Sequence, residues 1–361
     1  MLPIDFPKRS GAARNAYILR AIDDGLIVPE WHALTVTSGA TGTFGAGTFG
    51  ATGHHTATFY VLADALKLGG IRLSTSSYNL QQIADRLGAS LMTPRLIDRA
   101  YLSANIVIAP QTIYPPDDSS TALEAESKKI DDAVLGATGG IVTSGDAVGA
   151  HGLLAPLGKN WVLSNSLVGA KARNGLTAAA LYGWATQPGY EPPVGVTLRP
   201  GTLPGITNIQ PLATPHDFHY ADYAMLSSLV RRDVVLDGRT VDISSVLQSA
   251  DPSIVALASH EGPLKVLRQP GVPVVPVVPS GKPGTVSSGG PWGTVPVMRG
   301  PWGYSAYGRP LPIGTQAQIR QHEQHAAKPR HPAFWQLVTM PITTIVGITV
   351  GKIIERHREK P

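Results

Sequence analysis

The chain predicts an α+β fold: a mixed or mainly antiparallel sheet with several helices, then a Pro/Gly-rich extended tail and a C-terminal apolar helix. Three observations lead there. Short β-branched or aromatic runs mix irregularly with amphipathic stretches, without the regular strand–helix series of a parallel sheet. Gly 39 and Pro 31 make up about a fifth of the 361 residues, which implies many turns. At Pro270 the composition shifts abruptly to Pro, Val and Gly. The expected division is a globular domain over 1–268, a linker over 269–330, and an apolar helix with a basic tail over 331–361.

Taken in order, Ser10 to Ile27 has helical apolar spacing, with Tyr17, Ile18, Ala21 and Ile22 on one side. Ala33–Thr37 reads as a short strand. Ser38–Gly53, built from Gly, Thr, Ala and Phe, reads as a flexible loop or a packed Gly-rich edge. It lacks the Lys-Ser/Thr that completes a phosphate-cradling loop. Thr58–Leu62 is a strong strand signal. A helix runs through Leu80, Ile83, Ala84 and Leu87, capped by Ser77 or Asn79 and stopped by Gly88. Thr93-Pro94 opens another, a capping hydroxyl before a proline at the first helical position.

Ile106–Ala109 returns as a strand, and Leu123–Leu135 as an exposed helix. Trp161–Leu163 and Ala180–Trp184 are short strand-like runs bounded by turn residues. Pro188–Pro211 is a long Pro/Gly loop, a feature that in a compact domain usually covers something. Leu229–Leu236 and Arg239–Ile243 form a hairpin, because Asp237-Gly238 suits a type I′ turn. Ser244 and Asp251-Pro252 both look like helix starts.

In the tail, Pro270, Pro273, Pro276 and Pro279 recur every third residue, the period of a polyproline II helix. Gly-Pro-Trp-Gly appears at 290–293 and 300–303. The segment reads as a semi-rigid spacer, or as a ligand for a protein partner with an aromatic-lined proline groove. Residues 332–351 carry no charge and just reach the length that spans a bilayer, with Gly347 and Gly351 in G-x-x-x-G spacing. Gln336, four threonines and Pro341 leave an interfacial or docked helix as the alternative.

Cys 0 excludes disulfides, thiolate metal ligands and a cysteine nucleophile. Charged residues are only 15%, and the +5 formal charge is too diffuse for the basic stripe that nucleic acid requires. No apolar segment follows Lys8-Arg9, so no cleaved signal peptide is readable. Localisation therefore reads as membrane-associated through the C-terminal segment, or cytoplasmic.

Residues 214–223, Thr-Pro-His-Asp-Phe-His-Tyr-Ala-Asp-Tyr, concentrate imidazole and carboxylate. His216 and His219 stand at i and i+3, which on a helical turn converges on a metal, and Asp222 would complete the set or orient an imidazole. The metal set is thus His216, His219 and Asp222, for a divalent transition metal such as zinc. The catalytic set is His216 and Asp222, with His54 as a distant partner. A hydrogen-bonded loop is the plainer reading, since no H-E-x-x-H or G-x-S-x-G motif accompanies these residues.

Several stretches together resemble a poorly characterised family of bacterial proteins with F-Y-V, Y-G-W and H-x5-D-Y segments, for which no secure activity is known. They are Thr58–Leu62 with Asp64, Ile83–Gly88 leading to Thr93-Pro94-Arg95, Ala109-Pro110-Gln111, Leu181–Trp184, and His216 with Asp222-Tyr223, over roughly residues 10–240. That family tends to carry histidine where this chain has Ala185 and Met225, the latter preceded by Ala224. The resemblance thus implies one fold, and a site partly lost in this member.

Two functions follow as expectations. One is a hydrolase-like, cell-envelope-associated protein with a His/Asp site, acting on material such as peptidoglycan. The other is a non-catalytic binding or scaffold protein attached to a membrane or partner through its C-terminal tail.

Overall fold

Alternating apolar and hydroxyl side chains make Thr56–Leu62 the centre of a six-stranded antiparallel sheet. Ala57, Phe59 and Val61 point into the core, opposite Leu34 and Val36 of Trp31–Thr37. On the outer face Thr58 meets Thr35 across the pair at 3.0 Å. The other edge of the central strand is shared. Asp233–Leu236 covers its start and Leu229–Arg231 its end. Arg239–Asp242 and Ala89–Leu91 complete the sheet. These coordinates come from a computed structural model that describes residues 1–275, except 39–40, 45–46, 51–52, 114–115, 144–147 and 194. The 276–361 part of the tail, including the Trp repeat and the 332–351 run, lies outside the described residues.

Helices Ala12–Asp23, Ser77–Arg86 and Pro94–Leu102 supply Ile18, Leu80, Ile83 and Leu96 to the main core. Thr93 caps its helix as expected, accepting from the Leu96 N–H with Pro94 behind it. The preceding helix is capped by Ser76, one residue before the expected Ser77; its Oγ is the one that reaches the Asn79 N–H. Gly88 follows that helix at φ 62, a left-handed position that favours glycine. The chain 41–50 pairs as a hairpin, Thr41–Phe44 with Gly47–Gly50, rather than lying as an open loop.

Three further expectations are corrected. Ser120–Ala137 is not an exposed helix: Leu123, Glu126, Ile130 and Val134 form a buried stripe. The Pro188–Pro211 loop gives way at residue 207 to the strand Thr207–Asp217, because Pro211 and Pro215 sit where no ladder hydrogen bond is asked of them. Asp242, not Ser244, caps Ile243–Leu247. The Asp237-Gly238 turn is as expected, with both residues at positive φ.

A second, four-stranded antiparallel sheet runs Lys159–Val162, Ala178–Thr186, Thr207–Asp217, Arg199–Pro200. Ile106–Val107 pairs in parallel with Leu154–Ala155. The molecule is therefore α+β with mainly antiparallel sheets. Gln269 and Val272 are buried, so packing continues past residue 268. Among the described residues no helix is long and apolar enough to cross a membrane.

Candidate functional site

The expected metal ligands do not converge. His216 lies next to the end of the Thr207–Asp217 strand instead of on a helical turn, so the i, i+3 spacing no longer brings two rings together. Its ring stacks on Tyr220 at 3.8 Å between centroids, while His219 packs on Phe218 and Tyr78. Asp222 is buried, and Tyr220, stacked on His216, reaches it through its hydroxyl. Among the described residues, no group of three His, Asp or Glu side chains is placed to hold a metal ion. His54 is exposed at the approach to the central strand of the other sheet, with no hydrogen bond or ion pair to His216 or Asp222. Its neighbour His55 carries the contacts there, to Asp237 at 2.6 Å and Asp251 at 3.4 Å.

A different constellation forms around Asp222. This carboxylate is buried, takes the Lys159 ammonium at 2.7 Å and the Ala224 N–H at 2.9 Å, and receives the Tyr220 hydroxyl at 3.3 Å. Lys159 stands 6.0 Å from the centroid of the Trp184 ring. His216 lies in the field of the same pair. Burial, reinforced by Lys159, lowers its pKa below the usual histidine value, so the imidazole is neutral at neutral pH and free to accept a proton.

Trp184 reaches this place through a break in its strand. Strict alternation would set Ala180, Tyr182 and Trp184 on one face. Ala180 and Tyr182 do pack together with Val162 and Leu167, but Trp184 packs with Ala122, Tyr223 and Ala224. The cause is a pair of irregularities in the register with Thr207–Asp217, ending in Gly183 at φ 109 and Trp184 at φ 63. A Cβ at Gly183 would also stand 2.7 Å from the Asn160 side chain. The re-aimed indole leaves its N–H buried without a hydrogen-bond partner.

Glu126 sits one helical turn beyond Ala122, hence on the same face. It is 1% exposed, and neither carboxyl oxygen has a hydrogen-bond partner. Burial pushes its pKa up to about 8 against the pull of Lys129, and Asp222 adds to the rise. A protonated carboxyl and a neutral imidazole thus share the surroundings of one ion pair.

Glu126 and Lys159 were absent from the sequence expectation. Glu126 was legible in principle: it stands three residues after Leu123 and four before Ile130, an acid on an apolar stripe. Lys159 carries no such signal, because its partner is 63 residues away. Ala185 and Met225, the positions where the resembled family has histidine, are both buried here. No protein-family model, curated protein or solved structure matches the chain.

Proposed function

We propose that the globular part is a hydrolase-like enzyme of the cell envelope working by metal-free acid–base chemistry. Glu126 carries this reading: a carboxyl buried with both oxygens unpaired is costly to the fold and suited to giving up a proton near neutral pH. His216 is the base and Glu126 the acid, two titratable groups whose surroundings push their pKa values in opposite directions from their usual order. The Lys159–Asp222 pair supplies fixed charge beside them. Ile113 and Ile209 are half-buried and pack against the Trp184 cluster.

The test is release of soluble fragments from purified peptidoglycan by the full chain. Glu126→Gln and His216→Ala should each lower the rate by roughly 10²–10⁴-fold, with both variants still folded. The native rate should rise with pH as His216 loses its proton, below the usual histidine range, and fall above about 8 as Glu126 loses its own. Equal rates in native and variant proteins would remove these residues from the chemistry.

The second reading is a non-catalytic binding or scaffold protein. It is favoured by Ala185 and Met225, which put apolar side chains where the resembled family has imidazole. On that reading no fragments are released by any of the three proteins.

A further inference from the structure

The helix Pro94–Leu102 presents Arg95 and Arg99 one turn apart, toward the segment that follows the short helix Pro252–Val255. Both guanidinium groups close on the same carbonyl. Arg95 Nη1 donates to Ala256 O at 2.9 Å and to Ser259 O at 3.2 Å, and Arg99 Nη2 donates to Ala256 O at 3.4 Å. Two like charges are thereby held side by side on neutral acceptors. Neither arginine makes an ion pair with any described residue.

Of the nearby acids, Asp98 attracts Arg95 without forming an ion pair, and its Oδ1 is buried with no hydrogen-bond partner. Asp98, one turn along, gives its Oδ2 to the Tyr182 hydroxyl at 2.8 Å and the Thr202 hydroxyl at 2.7 Å. Glu261 accepts from the Ser164 hydroxyl at 2.9 Å and the Asn165 N–H at 3.2 Å. Three nitrogens in this region, Arg95 Nε, Arg99 Nε and His260 Nδ1, are shielded from water and have no hydrogen-bond partner. Arg95 itself is 8% exposed.

Buried charges in folded proteins are paired, because an unpaired one forfeits its hydration without return. Two adjacent guanidiniums without an ion pair add mutual repulsion to that loss, which Asp98 offsets in part for Arg95 and no acid offsets for Arg99. Burial and the Arg95 charge accordingly lower Arg99 to about 10, and the same two causes lower His260 to about 4. An oxyanion would remove the repulsion, and its oxygens match the planar donor fork of each guanidinium.

We propose that Arg95, Arg99 and His260 form an anion-binding site for a phosphate or carboxylate group, separate from the Glu126–His216 centre and independent of whether that centre is catalytic. The group arrives either as a free ion or as part of a larger ligand, and the same donors serve both.

The full chain is titrated with inorganic phosphate, methyl phosphate and acetate by calorimetry and thermal melting, against chloride at equal ionic strength and pH 7. Phosphate or acetate should raise the melting temperature in proportion to the logarithm of its concentration once above Kd. Arg99→Gln should weaken binding at least about 10-fold, and Arg99→Lys, which keeps the charge but loses the fork, by less. Without ligand, Arg99→Gln should melt no lower than the native protein, since it removes a repelling charge. Methyl phosphate binding as tightly as phosphate places the group on a larger ligand, and phosphate alone marks a free ion; both uphold the site. Stabilisation equal to that by chloride, or undiminished in Arg99→Gln, overturns it. So does a ligand-free Arg99→Gln protein that melts well below native, which would make the arginine a structural tie.

Discussion

Glu126 and His260 titrate in opposite senses, over windows that overlap between about 4.5 and 6.5. The Glu126 carboxyl ionises near 4.5 in an unfolded chain and near 8 in the fold, so the native state holds the extra proton between those values. Stability from this group is complete below about 4.5 and is lost as pH rises through about 8. The loss is on the order of a few kcal/mol. His260 runs the other way: its folded value is lowered to about 4, so the fold loses stability as pH falls from 6.5 toward that value. Thermal melts from pH 4 to 9 should therefore show a dome. Glu126→Gln should remove the fall between about 6.5 and 8 and uncover a rise in stability that continues from about 4 to 6.5. An alkaline side that persists in the variant would mean that Glu126 is not the group responsible.

At the scale of elements, the strand Ala178–Thr186 decides where the candidate site lies. All nine of its residues are buried, so no polar face marks its register. Its departure from alternation at Gly183 and Trp184 is what turns the indole toward Ala122, Tyr223 and Ala224. Gly183→Ala meets both a positive φ and the Asn160 side chain at 2.7 Å. It should cost roughly 1–3 kcal/mol, read as a lower midpoint in urea unfolding, and should shift Trp184 fluorescence. A variant with unchanged stability and fluorescence would show that the bulge does not depend on glycine. The helix Ser120–Ala137 makes a related point. Its apolar stripe is readable at 123, 130 and 134, and the acid within it breaks the pattern, beside the buried hydroxyl of Ser127.

For the whole molecule, the open question is how the domain is held in place. We propose that the apolar run 332–351 anchors it, with the Pro-rich stretch as spacer. Deleting residues 331–361 should move the protein from the membrane fraction to the soluble one. Unchanged partitioning of the shortened chain would reject the anchor.

The sequence by itself determined the α+β class, the Thr58–Leu62 strand, the Thr93-Pro94 helix start and the Asp237-Gly238 turn. Each rests on contacts between residues a few positions apart, which a local pattern can encode. It also fixed the absence of disulfides, since there is no cysteine. The tertiary structure alone decided that, among the described residues, His216, His219 and Asp222 do not gather as a metal-holding group. It alone decided that Asp222 takes Lys159, and that Arg95 and Arg99 share the Ala256 carbonyl, 161 and 157 residues away. Which imidazole faces which carboxylate depends on strand pairing and on a bulge, and these bring together residues whose separation along the chain leaves no periodic trace.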